Sequence, residues 1–116
     1  MTSESRQQRV FQALADPKRR QIVEKLSSDG PQTATELARE LPITRQGVTK
    51  HLQILVKAGL VQMRKSGRER YYSFVAAPLG EASSWVTAVN EQWDRRLQAL
   101  THYLSDDQNE TNGGDA

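Results

Sequence analysis

The feature that most constrains this chain is a pair of helix starts, Thr33 and Thr44, separated by Pro42. Thr33-Ala34-Thr35-Glu36 matches a capping box, in which the threonine hydroxyl and the glutamate carboxylate satisfy amides left open at a helix start. A short helix to about Leu41 follows. Pro42 interrupts it, and Thr44 caps a longer helix that runs through Ala58 and stops at Gly59, a residue suited to left-handed backbone. The result is helix, tight turn, helix. In the longer helix Val48, Leu52 and Leu55 recur at spacings of four and three, so they share the face that packs on the preceding helix. Arg45, Gln46, Thr49, Lys50 and Gln53 fall on the other face, and these residue types bond base edges and phosphates in a major groove.

The flanking segments extend this unit. Val10, Phe11, Leu14 and Ala15 lie at helical spacing, and Asp16-Pro17 closes that helix and opens the next, because Asp16 caps and Pro17 suits a first turn. Ile22, Val23 and Leu26 stripe the second helix, which ends at the turn formers Ser28-Asp29-Gly30-Pro31. Past Gly59 the period changes to two: Leu60, Gln62 and Arg64 alternate with Val61 and Met63, and after Ser66-Gly67-Arg68-Glu69 the residues Tyr71 and Ser73 alternate with Tyr72 and Phe74. This predicts a β-hairpin. Its tip sets four cations, Arg64, Lys65, Arg68 and Arg70, against Glu69. Beside such a helix a basic hairpin is a wing whose arginines enter a narrow minor groove; a basic hairpin also serves simply to block edge-to-edge aggregation.

From Leu79 through Ala82, Trp85, Val86, Val89, Trp93, Leu97, Leu100 and Leu104, apolar residues recur every three or four positions, which predicts one long last helix. The preceding unit is too small to cover that stripe, so a second copy of the chain is the economical cover, with Trp85, Val89, Trp93, Leu97 and Leu100 at the interface. For Trp85 and Trp93 an intramolecular core is the competing reading. A small-molecule effector between the tryptophan-bearing helices has no signature that separates it from packed core. Residues 105–116, SDDQNETNGGDA, carry no apolar residue but Ala116 and are expected to form a disordered tail beyond a single domain at 1–104.

Charge is divided unevenly. Residues 1–75 hold 14 Lys and Arg against 7 Asp and Glu, a balance of +7; residues 76–116 hold 2 against 7, a balance of −5. A basic front suits a polyanion, because Lys and Arg at phosphates release condensed counterions. With no cysteine, disulfides and thiolate metal sites are excluded. No run reaches the roughly 18 to 20 apolar residues of a membrane span, and the start MTSESRQQR lacks a signal peptide's apolar segment, so no membrane partner and a cytoplasmic address are expected.

The wording of ALADPKRRQIVEKL, then TATELARELPITRQGVTKHLQILVKAGLV, then SGRERYYSF resembles the ArsR family of bacterial winged-helix repressors over residues 10–104. The resemblance implies a mainly α fold with a small β-hairpin (α+β), a winged helix-turn-helix in the order α-α-α-α-β-β-α, acting as a homodimer on double-stranded DNA with an inverted-repeat operator. By position Thr44, Arg45, Gln46, Thr49 and Lys50 inherit its DNA contacts, Arg68 and Arg70 match its wing, and Thr33 stands where a helix N-terminus receives a phosphate. Phe11 and Leu14 join the dimer interface on the same ground. The family includes metal sensors, yet Thr35-Glu36-Leu37-Ala38-Arg39 occupies the place of their cysteine pair, and the last helix offers only His102 with Asp106 or Glu91. No metal and no cofactor are therefore expected. Neither is an enzyme, since the two histidines lie far apart and no Gly-rich phosphate loop is present. The other class left open is a winged-helix module that docks proteins without binding DNA.

Overall fold

The computed structural model describes the backbone of residues 3–115 and the side chains of residues 5–102 and 104. The order is α1 (Ser3–Leu14), α2 (Pro17–Asp29), α3 (Ala34–Glu40), α4 (Arg45–Lys57), β1 (Val61–Ser66), β2 (Glu69–Phe74) and α5 (Ala77–Asp115). This is the winged helix-turn-helix order that the sequence predicts. Internal contacts divide the chain into two compact units, Met1–Ala82 and Ser83–Ala116.

Local chemistry sets the boundaries of the first unit. Asp16 accepts a hydrogen bond from the Lys18 N–H at 2.7 Å and starts α2, with Pro17 in its first turn. Gly30, at φ 82°, ends α2. Thr33 and Thr44 each accept from the N–H three residues on, Glu36 and Gly47, at 3.1 Å. Two arginines after Pro17 fold back on α1: Arg19 Nε donates to the Ala13 carbonyl at 2.6 Å, and Arg20 Nη1 donates to that of Leu14 at 2.8 Å. They satisfy carbonyls that the end of α1 leaves open, which ties α1 to α2. Lys25 Nζ lies 2.7 Å from Asp29 and 2.8 Å from Glu40, joining the ends of α2 and α3. The Asp29 carboxyl is held below its usual range chiefly by that Lys25 hydrogen bond.

The core of this unit is built from every helix and the hairpin base: Val10 and Ala13, Ile22, Val23 and Leu26, Leu37, then Val48, Leu52 and Leu55, closed by Leu60, Val61 and Ala82. Val48, Leu52 and Leu55 are fully buried, which fixes the side of α4 that faces inward. β1 and β2 pair antiparallel from Val61 opposite Phe74 to Ser66 opposite Glu69. Gly67, at φ 63°, takes the first position of the two-residue turn, while no residue other than glycine has positive φ among those described. Gln32 adds a single bridge to the hairpin, exchanging backbone hydrogen bonds with Tyr72 at 3.0 and 2.8 Å. That third strip of sheet has no signature in the sequence, because one residue between Pro31 and Thr33 offers no alternation to read.

The second unit is the remainder of α5. Val89 is half-buried, while Trp93, Leu97 and Leu100 keep more than half of their surface exposed. The Arg96 guanidinium lies 5.7 Å from the centre of the Trp93 ring, within cation–π range. The expectation of a separate tail at 105–116 falls on residues whose side chains lie outside those described. Among the described residues no helix is long and apolar enough to cross a membrane.

Candidate nucleic-acid interface

With Val48, Leu52 and Leu55 turned inward, α4 presents Thr44, Arg45, Gln46, Thr49, Lys50 and Gln53 along one continuous surface depression. Thr49 is half-buried and the other five are exposed. Two of the hydroxyls have different chemistry left to offer. Thr44 Oγ1 accepts the Gly47 N–H, so its own hydrogen stays available for donation. Thr49 Oγ1 donates to the Arg45 carbonyl at 3.0 Å, which leaves its lone pairs and methyl group as contacting groups. Arg45 brings a planar fork that matches a guanine edge or a phosphate, and Lys50 brings a mobile point charge.

A second cleft, of about 490 Å³, draws in segments far apart in the chain: Arg45 and Thr49 of α4, Arg68 and Arg70 of the hairpin, and Thr33 to Thr35 at the start of α3. Glu69 and Tyr72 complete it. Arg64 and Lys65 are exposed but do not line this cleft. The strand register accounts for Arg64 but not for Lys65. Lys65 stands opposite Arg70, on the face that continues outward from Val61, Met63, Tyr72 and Phe74, whereas Arg64 stands opposite Tyr71 on the other face. Like charges directly across an antiparallel pair cost stability. A polyanion lying against Lys65 and Arg70 removes that cost.

Thr33 occupies a different environment from the other site residues. It is 6% exposed, with its hydroxyl committed to the Glu36 N–H, so what it offers toward the cleft is chiefly the helix start it caps. His51 is half-buried on α4, with its Nδ1 enclosed and lacking a hydrogen-bond partner. The Asp16 carboxyl is held below its usual range chiefly by the Lys18 backbone N–H, with smaller contributions from Arg19 and His51.

Gly47 is a positioning residue that sequence reading passes over. A Cβ there would lie 3.0 Å from Ile43 Cγ2 and 3.1 Å from Thr44 Oγ1, so the bare glycine lets Thr44 close over the start of α4. A glycine inside a helix that costs about 1 kcal/mol relative to alanine was the signal available.

The residues expected at a dimer interface differ in exposure. Phe11 is exposed and Leu14 half-buried on α1; Trp85, Trp93, Leu97 and Leu100 are exposed on α5, with Val89 between them. Among the described residues no three His, Asp or Glu side chains gather as a metal site.

Comparison with known proteins adds to this geometry. The family described as a helix-turn-helix domain matches residues 14–64. The HTH-type transcriptional regulator Rv2034 of Mycobacterium tuberculosis is 39% identical over 103 residues, covering 89% of this chain and 92% of its own. The transcriptional repressor SdpR of Bacillus subtilis is 32% identical over 88 residues, covering 76% of this chain and 97% of its own. Among solved structures, an ArsR-like transcriptional regulator from Rhodococcus sp. RHA1 superposes with a TM-score of 0.80 at 35% identity, over 91% of this chain and 98% of its own. The homodimeric winged helix-turn-helix domain Mb0332 of Mycobacterium bovis does so with a TM-score of 0.61 at 26% identity, over 76% of this chain and 81% of its own.

Proposed function

The chain belongs to the ArsR family of winged helix-turn-helix transcriptional regulators, and from that premise we propose that it is a homodimeric repressor reading an inverted-repeat operator. The observation that carries this reading is the two-sided α4. Its apolar side is spent on the core, and its outward side is a run of donors and cations flanked by Arg68 and Arg70. Arg45, Gln46, Thr49, Lys50 and Gln53 read base edges, Thr44 donates to the backbone, and Arg64, Lys65, Arg68 and Arg70 anchor the wing on phosphates or in the minor groove. The start of α3, capped by Thr33, abuts the same backbone.

Dimerisation has two supports. Trp93, Leu97, Leu100 and Leu104 are each about half exposed on one helix, and the related Mb0332 domain is described as homodimeric. Phe11, Leu14, Trp85 and Val89 extend that interface. Two-fold symmetry then requires half-sites about one helical turn apart, roughly 34 Å or a multiple. Repression follows the related SdpR, which is named a repressor. The repressor works without a thiolate-held metal, since the chain has no cysteine to supply one, and we place it in the cytoplasm, without catalysis, in keeping with the regulators it resembles. Residues 105–116 lie beyond the DNA-binding and dimerisation domain that we place at 1–104. A docking module would carry aromatic and aliphatic anchors in the α4 depression, where this chain carries polar and cationic side chains.

Selection of bound fragments from the source genome tests the proposal. The expected outcome is an enriched palindrome whose gel-shift affinity falls on Arg45→Ala or Lys50→Ala, with dimer mass unchanged. No enriched sequence, or unaltered affinity in both variants, sinks it.

A further inference from the structure

A third cleft, of about 440 Å³, lies where α1 passes the end of α4 and the start of α5. None of its lining residues belongs to the α4 depression or the wing cleft. Its walls are apolar, formed by Val10, Ala58, Val75, Ala77 and Pro78, with Val10 itself buried. Gly59 borders this wall, where a Cβ would lie at ordinary contact distance, 3.5 Å, from Pro78 Cγ. Around the apolar surface stand Arg6, Arg9 and Lys57, three cations against the one carboxylate of Glu81.

Those cations are not consumed by the fold. The ion pairs among the described residues are Arg19 with Asp16 and Lys25 with Asp29 and Glu40, and none involves Arg6, Arg9 or Lys57. Three like charges gathered beside low-dielectric walls favour an anion over an empty site. A concave apolar site of this size with a few convergent polar groups has the form of a small-molecule pocket. The wall chemistry narrows the ligand. An inorganic phosphate has nothing to place against Val10 and Pro78 and loses hydration there, whereas a neutral apolar molecule leaves the cations without partners.

We propose that this cleft binds a small amphipathic organic carboxylate, with its apolar body against Val10, Ala58 and Pro78 and its carboxylate on Arg6, Arg9 and Lys57. Arginine forks and a lysine ammonium give such a headgroup charge-assisted hydrogen bonds. The site stands independently of operator recognition, because neither its residues nor its test involves DNA.

The test uses the full chain and 1-naphthoate as probe, followed by amide chemical shifts and calorimetry. Saturable shifts are expected at Gly59 and Ala77. Affinity should fall about tenfold or more for the neutral analogue 1-naphthamide, for inorganic phosphate, and for the probe itself in an Arg9→Glu, Lys57→Glu variant. Should charge reversal disturb folding, Arg6→Gln with Lys57→Gln gives the same reading at milder cost, and circular dichroism verifies the fold. Equal binding of naphthoate and naphthamide overturns the proposal. So does an affinity indifferent to the cation variants, or shifts confined to α5 beyond Ala82.

Discussion

In α4 the triad Val48, Leu52 and Leu55 has no exposed surface, whereas in α5 Trp93, Leu97 and Leu100, at similar helical spacing, keep 53 to 55% of theirs. Both stripes follow the same periodicity, so the difference does not lie in pattern. It lies in what stands opposite. α4 is enclosed by α1, α2, α3 and the hairpin base, which lie within one compact unit, while the second unit consists of helix alone and one helix cannot cover its own face. Periodicity names the residues that share a face. It does not say whether the cover comes from the same chain.

The contrast breaks most visibly if α5 is not an intermolecular face. Leu97→Glu with Leu100→Glu removes two leucines from each protomer of a dimer; each is already about half covered, so about half of the roughly 1.5 to 3 kcal/mol of full burial is at stake per side chain, a loss on the order of 3 to 6 kcal/mol. Sedimentation should show monomers at micromolar concentration; a persisting dimer contradicts the assignment. Leu52→Ala probes the other side of the comparison. It should lower stability by about 2 to 5 kcal/mol in denaturant titrations, with a change independent of the subunit interface.

Smaller effects sharpen the division between packing and readout within the first unit. Arg45→Ala should cost on the order of 1 to 3 kcal/mol of operator affinity if it makes a bidentate base contact, as read by gel shift, with the denaturation midpoint nearly unchanged. Thr33→Ala should do the reverse, lowering stability by about 1 kcal/mol through loss of the α3 cap. An intact stability curve for that variant contradicts its structural role. The smallest effect concerns acid. The Asp16 carboxyl titrates below its ordinary value of 3.8 in the folded chain, so the stability it contributes is present above that value and is lost as pH falls through the lower folded one. Asp16→Asn should therefore flatten the acid limb of a stability-against-pH profile; an unchanged limb removes Asp16 from the account.

Much of this was legible in the residues. Asp16-Pro17, Thr33, Pro42, Thr44, Gly59 and Gly67 act through bonds or dihedrals within a few positions of themselves, so the element order and the outward set on α4 follow from the sequence. The roles of Arg19 and Arg20 did not. As cations near a helix start they resemble any solvated pair, and only the return of α2 along α1 reveals that they close α1's open carbonyls.

Linear order alone determined where the caps and turns of the first unit fall, and which side chains share a side of α4, because caps, glycines and periodicity are short-range effects. Tertiary packing decided the rest: the Gln32 bridge to Tyr72, the burial of Thr33, and the gathering of Arg45 and Thr49 with Arg68 and Arg70 while Arg64 faces away. Those relations join segments distant in the chain, and their geometry exists only once a common core holds the segments against one another.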